Sequence, residues 1–441
     1  MRADMQDQSG IAVQYPAGWS KARLRFKARV NPKSSIELEP TAAVSFLPMD
    51  AIGDGGTLRL DQTRIVSEVS QGYTYFEDND VSIAKITPCF ENGKGAVMEG
   101  LIGGAGFGTT ELIVLRPEED VDPRFLYYLT QSSNFRDPGE AAMLGAGGQK
   151  RVPDLYVKDF ATAWPSRSVQ TAIASYLDAE TKRIDGLIAE KRQLLHSLGE
   201  LKVTRISEIL TGEAEATVPT GDIWLPKIPP RWTLKRLKHL GQVRSGLAKG
   251  KKQEAGVPVV ELPYMRVANV QDGYIDLTDV TLIEVAETEV ERYTLQVGDV
   301  LMNEGGDYDK LGRGAMWEGH INPCLHQNHV FAVRLDDIEW APWLAAITRT
   351  AYAKFYFMNN SKQSTNLASI NQTNVKEFPV VVPPAFRRDE LLRVLADEMG
   401  RIDDLTDHVQ RELEVLAEFR SSTITDAVLG RIQVNTLKAA A

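Results

Sequence analysis

Cysteine is nearly absent, with Cys89 and Cys324 the only two in 441 residues. That excludes a disulfide framework and a four-cysteine zinc site. No apolar run approaches the roughly 18 residues needed to cross a bilayer. The opening MRADMQDQSGIAVQYP also lacks the basic-then-apolar order of a signal peptide, so a cytoplasmic protein is expected. Positive charge is not in excess: 50 Lys and Arg stand against 60 Asp and Glu, a net charge of -10. Such a chain does not coat nucleic acid indiscriminately, although local basic surfaces remain open to it. No phosphate loop of Walker type occurs, which excludes a motor acting by itself. What remains is an ordinary globular composition, 43% hydrophobic and 8% aromatic, long enough for two to four domains with cores of their own.

The chain repeats itself. Val157-Lys158-Asp159-Phe160 is followed by Trp164-Pro165, Arg183-Ile184-Asp185 and Gly212. Val375-Lys376-Glu377-Phe378 is followed by Val382-Pro383, Arg401-Ile402-Asp403 and Gly430, all displaced by the same 218 positions. Upstream, Lys94-Gly95-Ala96 faces Arg313-Gly314-Ala315 at a displacement of 219, and Pro16, Trp19, Arg23 and Leu24 face Pro229, Trp232, Arg236 and Leu237 at 213. One such match is weak, but a colinear series is a duplication.

Each copy has two parts. The first is rich in Gly, Pro, Val, Ile and aromatics in short runs such as TELIVLRP and HVFAVRL, which read as strands of a mixed domain. The second is one long helix, starting after Pro165 or Pro383-Pro384 and ending near Gly212 or Gly430. Its apolar stripe runs through Ile184, Leu187, Leu194, Leu198 and Leu201 in one copy and Ile402, Leu405, Val409, Leu413 and Leu416 in the other. A helix of that length spans about 70 Å at 1.5 Å per residue and needs a partner, for which its own duplicate serves. The fold class expected is therefore α/β: two mixed α/β globules separated by two long antiparallel coiled-coil helices, with an internal pseudo-two-fold repeat. The boundaries fall at 1–165 (first globule), 166–215 (central helix), 216–383 (second globule), 384–434 (distal helix) and 435–441 (flexible tail). Two readers on a spacer suit a linear target with two short sites, and duplex DNA is such a target.

This order of globules and helices resembles the specificity subunit of type I restriction-modification systems. The similarity is carried also by Met265–Val270 with Gly273 and Ile275, by Gly298-Asp299-Val300-Leu301, by Gly147–Val152 ahead of Val157–Phe160, and by Ile209-Leu210-Thr211-Gly212. The resemblance implies that each globule is a target-recognition domain reading half of a bipartite DNA sequence. It implies that the helices set the spacing and dock two methyltransferase subunits, with motor-endonuclease subunits joining the full complex. The ten stripe positions named above are then the expected partner contacts. The chain itself is expected to hold no cofactor and no metal, with S-adenosylmethionine, ATP and Mg on partner subunits. The copies diverge where the first has Ala146-Gly147-Gly148 and the second Ser364-Thr365-Asn366.

Charge selects the candidate DNA contacts. Lys21, Arg23, Arg25, Lys27, Arg29 and Lys33 cluster in the first copy, and Lys235, Arg236, Lys238, Arg244, Lys249, Lys251 and Lys252 at the matching place in the second. Such alternation is equally the solvated face of an edge strand. Lys94 and Arg313 pair a cation with small residues at equivalent positions, which permits close approach to phosphate or else makes a hairpin turn. Lys150, Arg151, Lys362 and Gln363 near loop ends carry planar or charged groups that bind phosphate or a base edge, or are ordinary polar loop. Arg266 and Asn269 read bases or hold a strand end.

Catalytic patterns are weaker. Pro153-Asp154 with Glu180 and Lys182 has the composition of a metal-dependent nuclease site, but Glu180 lies in the long helix. Gly104–Gly108 precedes a strand rather than opening a helix, so it makes no phosphate cradle. Asn322-Pro323-Cys324-Leu325 lacks the second proline and aromatic ring of an adenine methyltransferase loop. His320, Cys324, His326 and His329 offer metal-ligand types, yet they run into a strand whose side chains alternate between faces. The alternatives to a specificity subunit are a stand-alone DNA methyltransferase or nuclease, and a protein-binding scaffold.

Overall fold

The chain divides into two compact units, residues 1–192 with 411–441 and residues 193–410. The computed structural model describes residues 15–146, 148–213, 215–248, 257–307, 310–363 and 368–433. Both long helices, Arg167–Thr211 (45 residues) and Ala385–Val428 (44 residues), contribute one part to each unit. This is the mixed α/β architecture with two long helices that the repeat implies.

In the first unit an antiparallel sheet has the order Ala28–Val30, Leu112–Pro117, Val81–Ala84, Gly95–Val97. Its strand Leu112–Pro117 is aliphatic on both faces because both are covered, and five of its six residues are buried. A second sheet runs Thr63–Ile65, Ala43–Leu47, Ala105–Gly108, Thr74–Glu77, with its central pair parallel. Ser20–Arg23 pairs separately with Ala161–Trp164. The helix Pro123–Gln131 starts on Asp122, whose carboxylate accepts from Arg124 N at 2.9 Å with proline at the first turn.

The second unit repeats this plan. Gly241–Ser245, Val330–Leu335, Val300–Asn303 and Gly314–Met316 form the equivalent antiparallel sheet. Thr281–Ala286, Val259–Met265 and Leu325–His326 form the second, again with one parallel pair. Thr233–Arg236 pairs with Pro379–Val382.

The duplication extends to single hydrogen bonds. Arg116 grips buried Asp80 through two bonds of 2.8 Å, and Arg334 grips buried Asp299 through bonds of 2.8 and 2.7 Å. Leu24 N donates to Phe160 O at 2.8 Å, and Leu237 N to Phe378 O at 3.0 Å. Both long helices end on a glycine with positive φ, Gly212 at 69° and Gly430 at 72°. A Cβ on Gly212 would lie 2.3 Å from Pro229 Cγ, and one on Gly430 2.6 Å from Pro16 Cγ. Proline, tryptophan and glycine thus recur together because each helix end is packed against the Pro-x-x-Trp turn of a globule.

Within each unit the helical segments run antiparallel. In the first, Asp185 pairs with Arg420 (2.7 Å) and Lys191 with Glu412 (2.6 Å). In the second, Lys202 pairs with Asp403 (2.5 Å) and Arg205 with Glu398 (2.9 Å). One residue number falls as the other rises, which only opposed directions allow. The stripe positions separate accordingly. Ile184, Leu198, Ile402 and Val409 are buried within the chain. Leu187, Leu413 and Leu416 are half-buried, whereas Leu194, Leu201 and Leu405 remain 38%, 44% and 45% exposed. No helix of the described residues is long and apolar enough to cross a membrane.

Candidate nucleic-acid interface

Of the ten clustered basic residues that are described, six (Arg23, Arg25, Lys27, Arg29, Arg236 and Lys238) have acidic partners inside the chain. Arg23 and Arg25 both reach Asp159, the first at 3.1 Å, and Lys27 reaches Asp120. Lys238 pairs with Glu377 at 2.6 Å, and Glu377 occupies in the second copy the place of Asp159 in the first. Arg236 bonds Asp222 at 2.9 Å. Arg23 and Arg25 thereby tie a strand end to the short helix Asp154–Asp159, and Lys238 ties its counterpart to Glu377 at the end of helix Gln372–Lys376, rather than presenting a bare basic face. Arg244 donates to the carbonyl of Arg292, and burial together with the neighbouring Arg334 pushes its guanidinium below the ordinary range. Lys251, with Lys249 and Lys252, lies outside the described residues.

Arg266 and Asn269 are also structural. Arg266 holds Asp279 at 2.8 Å, while buried Asn269 accepts from Arg266 N and donates to the carbonyls of Asp276 and Asp279, each at 2.9 Å. Arg313 donates through Nε to Val270 O at 3.0 Å.

The remaining candidates converge on one feature. In the first unit Arg151 pairs antiparallel with Leu144 on one side and with Ile86, just past strand Val81–Ala84, on the other, a hairpin-type pairing. Thr87 N donates to Lys150 O at 3.0 Å, Val152 N to Lys85 O at 2.9 Å, and Ala84 N to Lys94 O at 2.8 Å. These backbone bonds bring the segments of Lys85, Lys94, Lys150 and Arg151 together, and Arg151 and Lys85 face the acid Glu111. Arg151 binds Glu111 through two bonds of 2.9 Å, and these bonds, with Lys85 nearby, hold the Glu111 carboxyl below its ordinary range. Lys150 is exposed, and Lys85 and Lys94 are half-buried. Composition did not single out Lys85; its signal is its place at a strand end facing the Lys94 turn.

The second unit builds the same hairpin with other chemistry. Lys362 pairs with Ser369 and Gln363 with Ala368, and Gly305 pairs with Ser369 on the other side. Ile370 N donates to Glu304 O at 2.8 Å, the counterpart of Val152 to Lys85. Where the first unit has Lys85 the second has Glu304, which takes the His329 ring at 2.7 Å. Lys362 and Gln363 are exposed. Two hairpins on one scaffold with different side chains are what two readers of different sequences require.

Comparison with known proteins follows the same line. No model of a known protein family matches the chain. It is 25% identical to the EcoEI specificity subunit of Escherichia coli across 94% of this chain and 83% of that one. It is 38% identical to the EcoAI specificity subunit, also of Escherichia coli, across 36% of this chain and 27% of that one. Its relatives are type I restriction enzyme specificity subunits. The fold agrees: a chain from a structure of complex assembly and conformational transition of the type I R-M system superposes with a TM-score of 0.71 at 17% identity, covering 95% of this chain and all (100%) of that one. The HsdS subunit of Thermoanaerobacter tengcongensis does so with 0.51 at 15%, covering 95% and 98%.

The catalytic patterns find other roles in this fold. Glu180 lies on the long helix and pairs with Arg183 at 2.5 Å, while Asp154 accepts from Asn31 at 2.8 Å. Ala105–Gly108 is a fully buried strand. His326 is buried with Nδ1 donating to Val330 O at 2.7 Å, and burial lowers its pKa to about 4. Cys324 is buried and pushed up to about 12, away from thiolate chemistry. His320 faces Glu318 at 3.5 Å. Among the described residues no group of three or more His, Cys, Asp and Glu is arranged to hold a metal.

Proposed function

We infer that this chain is the DNA sequence-specificity subunit of a type I restriction-modification complex and carries no catalysis of its own. The observation that carries this is the duplicated hairpin, built on one hydrogen-bond scaffold in both units and differing in the side chains presented. Lys85, Lys94 and Lys150 contact phosphate and set register in the first unit, while Lys362 and Gln363 meet base edges in the second. Each unit reads one half of a bipartite site, and the two helices, each continuous from one unit into the other, set the unread gap. Two methyltransferase subunits dock on the exposed helical ridge of Leu194, Leu201 and Leu405, and motor-endonuclease subunits join them. S-adenosylmethionine, ATP and Mg belong to those partners.

Selection from a random duplex library by the chain co-expressed with its methyltransferase tests the reading. The expected yield is two short blocks separated by a fixed unspecified gap. A single contiguous block, or no enrichment, contradicts it.

A further inference from the structure

The two copies share a register but not a filling. In the first unit Trp164 stands opposite Ser20 on the strand pair Ser20–Arg23 and Ala161–Trp164. Its indole is buried, donates through Nε1 to Ala22 O at 3.2 Å, and meets Phe125 edge-on at 6.1 Å between centroids. In the second unit Val382 stands opposite Thr233 at the same register position. Trp343 replaces Phe125, Lys235 replaces Ala22, and Val382 puts a smaller side chain at the position of the indole. A cavity of about 250 Å³ is left, bounded by Leu240, Leu335, Trp340, Trp343, Val380 and Val382.

The walls of this cavity are fixed. Trp343 donates its indole N–H to Val381 O at 2.8 Å and meets Trp232 at 6.2 Å and Trp340 at 6.5 Å. Trp340 is held from its other face by the Arg388 guanidinium, 4.9 Å from the ring centroid. Neither ring is free to swing in and close the space, and the aliphatic and indole walls offer an aromatic ring apolar and edge-on contact. Lys235, His239, Asp336 and Asp337 complete its lining.

We propose that this cavity of the second unit is a binding site for an indole-sized aromatic ring bearing one N–H donor. The ring stacks edge-on against Trp343 and donates to the Lys235 carbonyl, as the Trp164 indole does to Phe125 and Ala22 in the first unit. It arrives either as a free indole derivative or as a tryptophan side chain of a partner polypeptide. The site is independent of the DNA-reading hairpins.

The test is a titration of the full chain with 5-fluoroindole followed by fluorine NMR of the probe. A saturable shift at one ring per chain is expected. Val382→Trp, which fills the cavity as the first copy does, abolishes the shift, and Leu335→Phe, which fills it from the opposite wall, does the same should the first variant not fold. Trp164→Val opens the twin cavity and raises the stoichiometry to two. Repeating the titration with N-acetyl-5-fluorotryptophanamide separates the sources: saturation by both probes assigns a polypeptide side chain, and saturation by the free ring alone assigns a small molecule. Absence of a saturable shift with both probes, or a shift undiminished in both filled variants, overturns the proposal.

Discussion

At the residue scale, buried groups of fixed charge state give the sharpest expectations. His326 is neutral in the folded chain because burial lowers its pKa to about 4, against an ordinary value of 6.5. Between those values the unfolded chain binds the extra proton and the folded chain does not. The His326 contribution to stability is therefore complete above about pH 6.5 and is lost as pH falls towards 4, with an upper bound of about 3–4 kcal/mol. Urea midpoints measured from pH 7 to 4.5 should fall, and fall less in His326→Gln; parallel curves for the two proteins would contradict the assignment. The lysines gathered at the first hairpin make a different prediction. Replacing Lys85, Lys94 and Lys150 together by alanine should weaken duplex binding across sequences and flatten the salt dependence by about 0.9 for each phosphate contact removed. A slope equal to wild type would show that these lysines do not touch the backbone. The sequence marked Lys94 and Lys150 but not the neutralisation of Arg23 and Arg25, since their partner Asp159 lies 136 and 134 positions away. Charge clusters are visible in one dimension; their counter-ions are not.

At the element scale the repeat was the most legible feature. The constant displacement located both helices, both glycine ends and the equivalence of Trp164 with Val382 before any coordinates. It also placed Lys150 and Lys362 near corresponding loops, although the pairing of Arg151 with both Ile86 and Leu144 depends on contacts between distant strands. The helical stripe was legible as a stripe only. Which of its residues meet the chain's own helix and which stay exposed depends on neighbours that periodicity does not specify. Ile184→Ala should lower stability by about 2–5 kcal/mol, because a fully buried side chain leaves a cavity. Leu405→Ala, 45% exposed, should change it by no more than about 0.5 kcal/mol. Leu405→Glu should instead reduce retention of the methyltransferase in co-purification while leaving the urea midpoint near wild type. Equal stability losses for Ile184→Ala and Leu405→Ala would contradict the division between inner seam and outer ridge.

At the scale of the whole molecule, each long helix passes from one unit into the other, between Arg192 and Gln193 and between Gln410 and Arg411. These segments act as the ruler of a bipartite target. Inserting seven residues after Arg192 and seven after Gln410 keeps the heptad phase and lengthens both helices by about 10 Å at 1.5 Å per residue, or about three base pairs of duplex. The decisive measurement is the footprint of this double-insertion variant, assembled with its methyltransferase, beside that of the wild-type complex. The same two sequence blocks with a gap wider by about three base pairs is the predicted result. Altered blocks, or an unchanged gap, would contradict it.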